Sequence, residues 1–325
     1  MTNKNPPGRA GDLLVALSLA AGVLAGLALL RRLVAPKASN PLSEADATPG
    51  TALITGASSG IGAAFARQLA ARGYHLILVA RREDRLAALA MELQTRHGIC
   101  VEPLAADLSQ IADIERVAER IVELERLHVL INNAGFGTPG QFAELNPDRQ
   151  LDMINVHIVA AVRLCRAALP GMISRGQGTI INVSSMAGLL AVPGSTTYSA
   201  SKAYVNIFSE ALQAELAGTR VKVQALCPGF THTEFHSRPD HAGFSPSWIP
   251  APLWMQPEDV AAQSLEALGR GEVIFIPGFK NRLLAVVARH TPTRLVQLRS
   301  AASVRQAAGR SDGLNPQGQA ARKLE

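Results

Sequence analysis

Cysteine, charged residues and aromatic side chains are all scarce in this 325-residue chain. Three cysteines are an odd and sparse set, which excludes a disulfide-stapled secreted scaffold. We expect Cys100, Cys165 and Cys227 to be inert core thiols in a reducing compartment. Charged residues at 18% against 47% hydrophobic residues exclude a disordered or acidic-tail protein. Aromatic residues at 4% leave little surface for stacking nucleobases.

The net charge of +6 is concentrated at the two ends of the chain. Residues 1–49 contain five Lys and Arg and three acidic residues, a net charge of +2, and residues 280–325 contain nine and two, a net charge of +7. Residues 50–279 therefore carry a net charge of −3. A mildly acidic body with basic ends is a poor platform for nucleic acid, so we expect no nucleic-acid partner. Basic ends instead favour contact with the negatively charged lipid of a membrane surface.

A long apolar run near the N-terminus predicts a membrane anchor. Residues 13–30 contain one polar side chain, Ser18, and as a helix they would span roughly 27 Å, close to the thickness of a bilayer core. We therefore predict a short tail (1–12), a transmembrane helix (13–34) and a linker (35–49). More basic residues follow the run than precede it, which favours a single-pass protein with a cytoplasmic body. A cleaved signal peptide and a soluble core helix stay open as alternatives.

The body, residues 50–279, alternates apolar β-branched runs with amphipathic stretches of helical length. Runs that are apolar throughout predict strands buried on both faces, as helices on each side of a parallel sheet produce. We predict one α/β, doubly wound, Rossmann-type domain with a seven-stranded parallel sheet, whose ligands bind beyond the carboxyl ends of the strands. The seven predicted strands are Ala52–Thr55, His75–Ala80, Cys100–Ala105, Val129–Asn132, Thr179–Val183, Val221–Leu226 and Val273–Ile276.

A glycine-rich loop follows the first strand and precedes a helix. Its sequence, TGASSGIG, spaces the glycines as GxxxGxG. Gly56 permits a tight turn, Gly60 permits close approach of the backbone to a diphosphate, and Gly62 permits close packing of helix and strand. The amides at the helix start can then hold the anion. The predicted dinucleotide-binding residues of this loop are Gly56, Ser58, Ser59, Gly60, Ile61 and Gly62.

The end of the second strand bears on the choice of dinucleotide. An NAD site usually carries an acidic residue about 20 positions beyond the glycines, where it binds the 2′-hydroxyl of the ribose. This chain has Ala80 followed by Arg81 and Arg82, whose guanidinium groups suit a 2′-phosphate. We therefore predict NADP(H) as the cofactor.

Two further strand ends supply residues to the same edge of the sheet. Asp107 and Leu108 follow the third strand, and Asn133, Ala134 and Gly135 follow the fourth. Because the carboxyl ends of parallel strands meet at one edge, we expect these residues to lie against the adenine and its ribose.

A serine, a tyrosine and a lysine form the candidate catalytic group. Ser185 follows the fifth strand, and Tyr198 lies thirteen residues later with Lys202 four further on. Residues i and i+4 share a helix face, so the phenol and the ammonium are predicted to be neighbours. A nearby cation favours the phenolate, and we expect Lys202 to lower the pKa of Tyr198 from about 10 toward the neutral range. Ser185 can hydrogen-bond a substrate oxygen on which charge develops.

The motifs TGASSGIG, NNAG, YSASK and CPGFTHT, together with Ser185, occur in an order that resembles the short-chain dehydrogenase/reductase family over residues 50–279. The resemblance implies that Tyr198 is the acid–base and that Lys202 binds the nicotinamide ribose while tuning the tyrosine. It implies that Ser185 orients the carbonyl, and that Asn155 kinks its helix and holds a water in a proton relay toward Lys202. It also implies a homodimer or homotetramer built through the helices that carry Asn155 and Tyr198.

The resemblance also bears on the nicotinamide side of the site and on cofactor choice. It places four residues against the nicotinamide: Pro228, Gly229, Thr231 and Thr233. Some NADP-using members carry a basic residue just before the second glycine, where this chain has Ser59. The NADP(H) prediction therefore depends on Arg81 and Arg82 alone.

The expected function is that of an NADP(H)-dependent reductase that interconverts a ketone and a secondary alcohol. Substrate choice should lie in the segment Phe235–Met255, which concentrates large apolar residues and both tryptophans of the chain. With a membrane anchor in the same chain, this composition predicts a hydrophobic substrate such as an acyl chain, a sterol or a retinoid. The alternative is a non-catalytic, membrane-anchored NADPH-binding sensor or scaffold.

Three histidines after the sixth strand have a spacing close to that of metal ligands. They are His232, His236 and His241. No cysteine or acid completes a convincing set, so we assign them to the substrate loop and predict no metal.

The C-terminal region carries arginines at helical spacing among apolar residues. Residues 280–310, interrupted at Pro292, predict two short basic amphipathic helices, which could lie on a lipid surface or cover the mouth of the active site. A plain helix packed on its own domain is an equal alternative. Residues 311–325 are polar and predict a flexible tail.

Overall fold

The computed structural model describes residues 50–237 and 249–290, and these contain the whole predicted sheet. The other predicted segments lie outside the described residues: the tail (1–12), the transmembrane helix (13–34), the linker (35–49), residues 238–248 of the substrate segment and the chain after residue 290.

Within the described residues, seven parallel strands form one sheet. They are β1 (Thr51–Thr55), β2 (His75–Ala80), β3 (Val101–Ala105), β4 (Leu127–Asn132), β5 (Gly178–Val183), β6 (Val221–Leu226) and β7 (Ile274–Phe275). Their order is β3-β2-β1-β4-β5-β6-β7, which confirms the doubly wound fold. The predicted boundaries hold to within two residues. The winding reverses between β1 and β4, so a crevice for ligands is expected at the carboxyl ends of these two strands.

Helices connect the strands and cover the sheet. They are α1 (Gly60–Ala70), α2 (Glu83–His97), α3 (Ile111–Val122), α4 (Pro147–Ser174), α5 (Thr196–Glu215), α6 (Pro257–Ala267) and α7 (Phe279–His290). The helix α4 contains one π-helical turn, Asn155–Val159. The helix α7 corresponds to the first of the two predicted C-terminal helices, and the second lies outside the described residues.

Alternate side chains of each central strand enter two apolar cores, one on each face of the sheet. On β1, Ala52 and Ile54 belong to the core that contains Phe65 of α1, whereas Leu53 belongs to the core that contains Leu164 of α4. Each large apolar side chain that is fully buried stabilises the folded state by about 1.5–3 kcal/mol relative to an exposed one. Because both faces are covered, β1 is held rigidly, and its carboxyl end is a fixed platform for a site.

Among the described residues, α4 is the one helix with the length and apolar character needed to cross a membrane, with a mean hydropathy of 1.5. Its Met153, Leu164 and Met172 are fully buried in the protein. This helix is therefore part of the folded core.

The cysteines differ in their surroundings. Cys165 on α4 and Cys227 after β6 are buried, and burial raises the pKa of the Cys165 thiol to about 12, so it stays protonated. Cys100 is exposed, so the prediction of a third core thiol was wrong. It lies one residue before β3, an edge strand of the sheet, where its backbone N–H donates to Nδ1 of His75 at 3.0 Å.

Candidate active site

A cavity of about 710 Å³ lies at the carboxyl ends of the strands. Of the predicted site residues, Gly62 and Asn155 do not line it. The others form part of its wall: Gly56, Ser58, Ser59, Gly60, Ile61, Arg81, Arg82, Asp107, Leu108, Asn133, Ala134, Gly135, Ser185, Tyr198, Lys202, Pro228, Gly229, Thr231 and Thr233. The topology thus brings together residues that are up to 177 positions apart, from Gly56 to Thr233.

The glycine loop forms one end of the cavity. Gly56 and Gly60 have φ angles of 65° and 55°, in the left-handed region that favours glycine. A Cβ atom on Gly62 would lie 2.3 Å from the carbonyl oxygen of Gly56, so a side chain there would push α1 away from the loop. Gly60 and Ile61, the first residues of α1, line the cavity, where their amides can bind an anion such as a diphosphate.

Arg82 connects the glycine loop to the segment after β6. Its Nη2 donates to the hydroxyl oxygens of Ser58 and Ser59 at 2.9 Å each, and its Nε donates to Ser58 at 3.2 Å. Its Nη1 donates to Oε2 of Glu234 at 2.7 Å. A fixed cation thus stands beside two hydroxyl groups at the edge of the loop, which is a donor set suited to a phosphate.

Glu234 contacts the site through Arg82, and the sequence did not reveal it. Its carboxylate accepts hydrogen bonds from Arg82 and Arg85, which lower its pKa to about 2. The partners are separated by 152 and 149 positions, so no local pattern pairs them. Arg81, the other predicted phosphate ligand, lies 3.8 Å from Oδ2 of Asp107.

Side chains at the ends of β1 and β4 fix the loop that forms the middle of the cavity wall. The hydroxyl oxygen of Thr55 accepts hydrogen bonds from the backbone N–H groups of Asn133 at 2.9 Å and Ala134 at 3.0 Å. The side-chain amide of Asn133 donates to the carbonyl oxygen of Thr55 at 2.9 Å. The predicted residues Asn133 and Ala134 are therefore held by the strand that carries the glycine loop.

Tyr198 and Lys202 lie one turn apart on α5, as predicted, and both line the cavity. The ammonium nitrogen of Lys202 lies 5.8 Å from the centre of the Tyr198 ring and donates to the carbonyl oxygen of Val183 at 2.9 Å. The Ser185 side chain hydrogen-bonds the Tyr198 hydroxyl, and its oxygen also accepts from the backbone N–H of Ala187 at 3.1 Å. Three groups able to handle a proton or a developing charge therefore meet at one place.

The pKa of Tyr198 departs from the expectation raised by the sequence. Burial raises it above the usual value of 10.0, and the hydrogen bond from Ser185 offsets only part of that rise. Burial also lowers the pKa of Lys202 to about 8, because the charged ammonium loses its hydration. The expected net lowering of the Tyr198 pKa is wrong for this structure, since desolvation of the phenolate is the largest effect on that pKa.

Asn155 lies where α4 departs from regular helical geometry. The π-helical turn begins at Asn155, the position at which the family resemblance implies a kink. Its side-chain amide donates to the carbonyl oxygen of Ser109 at 2.9 Å, which joins α4 to the loop after β3. Its part in a proton relay stays a prediction.

His157 is a second residue near the site that the sequence reading missed. Its ring is buried, with Nδ1 at 2.8 Å from the hydroxyl oxygen of Ser201, and its Nε2 accepts from the backbone N–H of Phe136 at 3.2 Å. Burial and the charge of Lys202 hold the pKa of His157 well below its usual value, so the ring is neutral. The one available signal was a histidine in an otherwise apolar helical stretch, two residues after Asn155.

Beyond Tyr198 most residues that line the cavity are apolar, and Arg149 and Ser195 are polar exceptions. The Phe235 ring lies 5.7 Å from the Tyr198 ring, and the guanidinium of Arg149 lies 4.4 Å above the ring of Phe136. Of the predicted substrate segment, Phe235 and Leu253 line the cavity. Further apolar wall residues are Leu190, Val192, Phe230 and Leu284.

Of the three histidines with near-metal spacing, only His232 has a described side chain, and it contacts a tryptophan. The ring of His232 stacks on Trp254 with 4.8 Å between ring centres. The side chains of His236 and His241 lie outside what the structure describes. Within residues 50–237 and 249–290, no group of three or more side chains is arranged to hold a metal ion.

Three known proteins illustrate what this chain is similar to. The very-long-chain 3-oxoacyl-CoA reductase of Anas platyrhynchos is 37% identical over 188 residues, which cover 56% of this chain and 60% of that protein. The inactive hydroxysteroid dehydrogenase-like protein 1 of Homo sapiens is 34% identical over 204 residues, 62% of each chain. A short-chain dehydrogenase from Sphingobium yanoikuyae, solved in complex with NADPH, is 35% identical with a TM-score of 0.67, covering 80% of this chain and 95% of that chain.

The sequence profile of the short chain dehydrogenase family matches residues 50–242. This range contains the glycine loop and the group formed by Ser185, Tyr198 and Lys202. It also contains six of the seven strands of the sheet. The chain therefore belongs to the short chain dehydrogenase family of oxidoreductases.

Proposed function

We propose that this protein is an NADP(H)-dependent carbonyl reductase that interconverts a hydrophobic ketone and a secondary alcohol. One observation carries the proposal, namely that the same cavity contains two different sets of side chains. Arg82 lies beside the hydroxyl groups of Ser58 and Ser59 at one end, and the Ser185–Tyr198–Lys202 group lies beside an apolar chamber at the other. The first end suits the phosphates of a dinucleotide, and the second suits a carbonyl compound with apolar substituents.

The residues present fit a nicotinamide dinucleotide with a 2′-phosphate. The glycine loop and the start of α1 would hold the diphosphate, and Arg82 with Ser58 and Ser59 would hold the 2′-phosphate. The similar dehydrogenase of Sphingobium yanoikuyae was solved with NADPH, which supports this choice. When bound in its reduced form, this cofactor supplies a hydride to the carbonyl carbon.

The side chains of this protein supply the rest of the reaction. Because burial raises its pKa, the Tyr198 hydroxyl is protonated at neutral pH and can give its proton to the carbonyl oxygen as the new C–H bond forms. The resulting phenolate recovers a proton from solvent. Ser185 can donate a hydrogen bond to the same oxygen while negative charge develops on it. In the direction of oxidation, the same groups act in reverse.

The proposed substrate class and location follow from the apolar chamber and the ends of the chain. The similar reductase of Anas platyrhynchos is named for long-chain 3-oxoacyl substrates, which supports a lipid-like ketone. We propose that residues 13–34 anchor the protein in a membrane with the catalytic domain in the cytoplasm. A homodimer or homotetramer through α4 and α5 belongs to the same proposal.

The test is NADPH consumption by the purified full chain with ketones of increasing chain length, with Tyr198→Phe as the matched variant. We expect turnover to rise with chain length, to be at least tenfold lower with NADH, and to be lost in the variant while NADPH still binds. Equal turnover of short and long ketones would contradict the proposed substrate class.

A second candidate is a non-catalytic NADPH-binding sensor or scaffold. The similarity to the inactive human protein favours it. The presence of Tyr198, Lys202 and Ser185 on one wall favours catalysis. If the parent and Tyr198→Phe bind NADPH equally and neither turns over any ketone, the scaffold is the better assignment.

A further inference from the structure

The helix α7 buries little apolar side chain against the domain and presents most of its large apolar residues outward. Its inward face carries Asn281 and Ala285, each 3% exposed. The Asn281 side-chain amide donates to the carbonyl oxygen of Pro277 at 3.1 Å. Surface helices usually direct their apolar stripe toward the core, so the outward face of α7 needs an explanation.

That outward face is a continuous apolar stripe. Phe279, Leu283, Val286 and Val287 are 73%, 55%, 55% and 57% exposed. They occupy positions i, i+4, i+7 and i+8, which lie on one side of an α-helix. Isolated exposed apolar residues are ordinary, but an aligned set on one helix marks a surface that contacts another apolar phase.

Positive charge borders the stripe. Lys280 and Arg282 lie on either side of it in the helical projection, and α7 contains no acidic residue. An apolar stripe with basic flanks is the pattern of a helix that lies in the interface of an anionic bilayer. Two copies meeting through this stripe would instead bring Lys280 and Arg282 against basic residues of the second copy, which disfavours self-association through α7.

The stripe lies next to the active-site cavity. Asn281 and Leu284 of α7 line the cavity, and Leu284 is also 45% exposed. We propose that α7 docks on an anionic lipid surface and holds the mouth of the cavity against the bilayer. A hydrophobic ketone could then pass from the bilayer into the apolar chamber, a consequence that rests on the proposed function.

The docking is tested by fluorescence quenching on the full chain with its exposed cysteine removed (Cys100→Ser). A polarity-sensitive label attached at Val287→Cys is compared with one at Val122→Cys, another exposed apolar residue. Each protein is reconstituted in phosphatidylcholine vesicles with nitroxide-labelled acyl chains, with or without phosphatidylserine. We expect several-fold stronger quenching at the α7 position when phosphatidylserine is present, and little quenching at the control position in either vesicle.

Equal quenching at the two positions, or none at the α7 position, would overturn the proposal. A label on α7 that is already shielded in detergent, before lipid is added, would also overturn it, because a second copy or another part of this chain would then cover the stripe. Quenching needs no turnover, so this result is independent of the proposed activity.

Delivery of substrate has its own test. The double variant Leu283→Glu with Val287→Glu is compared with Met91→Glu with Val122→Glu, which changes two exposed apolar residues elsewhere. We expect the first variant to reduce a vesicle-dissolved long-chain ketone several-fold more slowly and a water-soluble ketone at the parent rate. Equal loss with both ketones would contradict entry from the bilayer.

Discussion

The rings of His157 and Tyr198 meet edge to face, with centres 5.7 Å apart and planes at 75°. The Ser201 hydroxyl donates to the backbone carbonyl oxygen of Tyr198 at 2.8 Å, so it must accept from Nδ1–H of His157. The other nitrogen accepts from the backbone N–H of Phe136, which leaves both nitrogens of a neutral ring satisfied. His157 therefore positions Tyr198 through its ring and through Ser201, while fixing the loop after β4.

Replacing His157 should impair the proposed reduction without impairing cofactor binding. We expect His157→Phe, which keeps an aromatic ring but loses both hydrogen bonds, to lower kcat about tenfold, the equivalent of about 1.4 kcal/mol. The KM for NADPH should stay within about twofold, because none of the residues that would hold its phosphates is touched. His157→Asn, whose amide can still donate to Ser201, should recover part of the loss. An unchanged kcat together with a lower Tm would mean that His157 serves folding alone.

The buried ammonium of Lys202 should make stability depend on pH in a defined direction. Its pKa is about 8 in the folded protein against 10.5 normally, so between these values the unfolded chain binds a proton that the folded protein does not. Stability therefore rises with pH across this window, and below it the charged form costs up to about 3 kcal/mol. Lys202→Met carries no buried charge, so we expect its unfolding free energy to exceed that of the parent at about pH 8. This difference should shrink by about 3 kcal/mol as pH rises from about 8 to about 10.5.

Urea unfolding at a series of pH values measures this difference. The exposed Lys280 changed to Met is the control and should follow the pH dependence of the parent. A difference between Lys202→Met and the parent that stays flat over the window would mean that the ammonium is not desolvated in the folded protein.

The parts of the fold that the sequence predicted correctly depend on short-range regularities. Continuous apolar runs located the seven strands, because each central strand is buried on both faces. The spacing of Tyr198 and Lys202 predicted one helix face because helical geometry is local. The glycine loop was recognisable because close packing at Gly62 and the positive φ of Gly56 restrict these positions to glycine.

The parts that the sequence did not predict depend on contacts between distant segments. Glu234 reaches Arg82 across 152 positions, and His157 reaches Ser201 across 44. The pKa of Tyr198 depends mainly on the burial of its side chain, and the spacing between Tyr198 and Lys202 does not predict that burial. Burial of individual side chains follows from the assembled tertiary structure, so Cys100 could not be distinguished from Cys165 by neighbouring apolar residues.

A methyl group at Gly62 should damage the cofactor end of the cavity. Its Cβ would meet the carbonyl oxygen of Gly56 at 2.3 Å, so α1 must move away from the loop. We expect Gly62→Ala to weaken NADPH binding by at least tenfold and to lower Tm. Gly73→Ala is the control, since it has a positive φ but no neighbour within 4 Å, and should lower stability by about 1 kcal/mol with unchanged NADPH binding. Equal NADPH affinity in both variants would show that the loop does not hold the cofactor.

Arg82 should decide between NADPH and NADH. Its guanidinium is held beside the hydroxyl groups of Ser58 and Ser59, where it can pair with a 2′-phosphate. A hydrogen-bonded charge of this kind contributes about 1.5–3 kcal/mol, so we expect Arg82→Gln to weaken NADPH binding about tenfold to a hundredfold and NADH binding by less than about twofold. Titration of the bound-cofactor fluorescence measures both constants. Equal weakening of the two cofactors would remove the basis for assigning Arg82 to the phosphate.

Glu234 should oppose the same phosphate, because its carboxylate already accepts from one guanidinium nitrogen of Arg82 and one of Arg85. Its pKa of about 2, against 4.5 normally, means that its pairing is complete above about pH 4.5 and is lost only as pH falls toward 2. Ordinary assay pH therefore cannot release it, but Glu234→Gln can. We expect this variant to bind NADPH several-fold more tightly and to bind NADH with unchanged affinity.

Glu92→Gln, which breaks the Arg67–Glu92 pair outside the cavity, is the matched control and should change neither affinity. Weaker NADPH binding in Glu234→Gln would mean that the carboxylate instead holds Arg82 in the orientation that the phosphate needs.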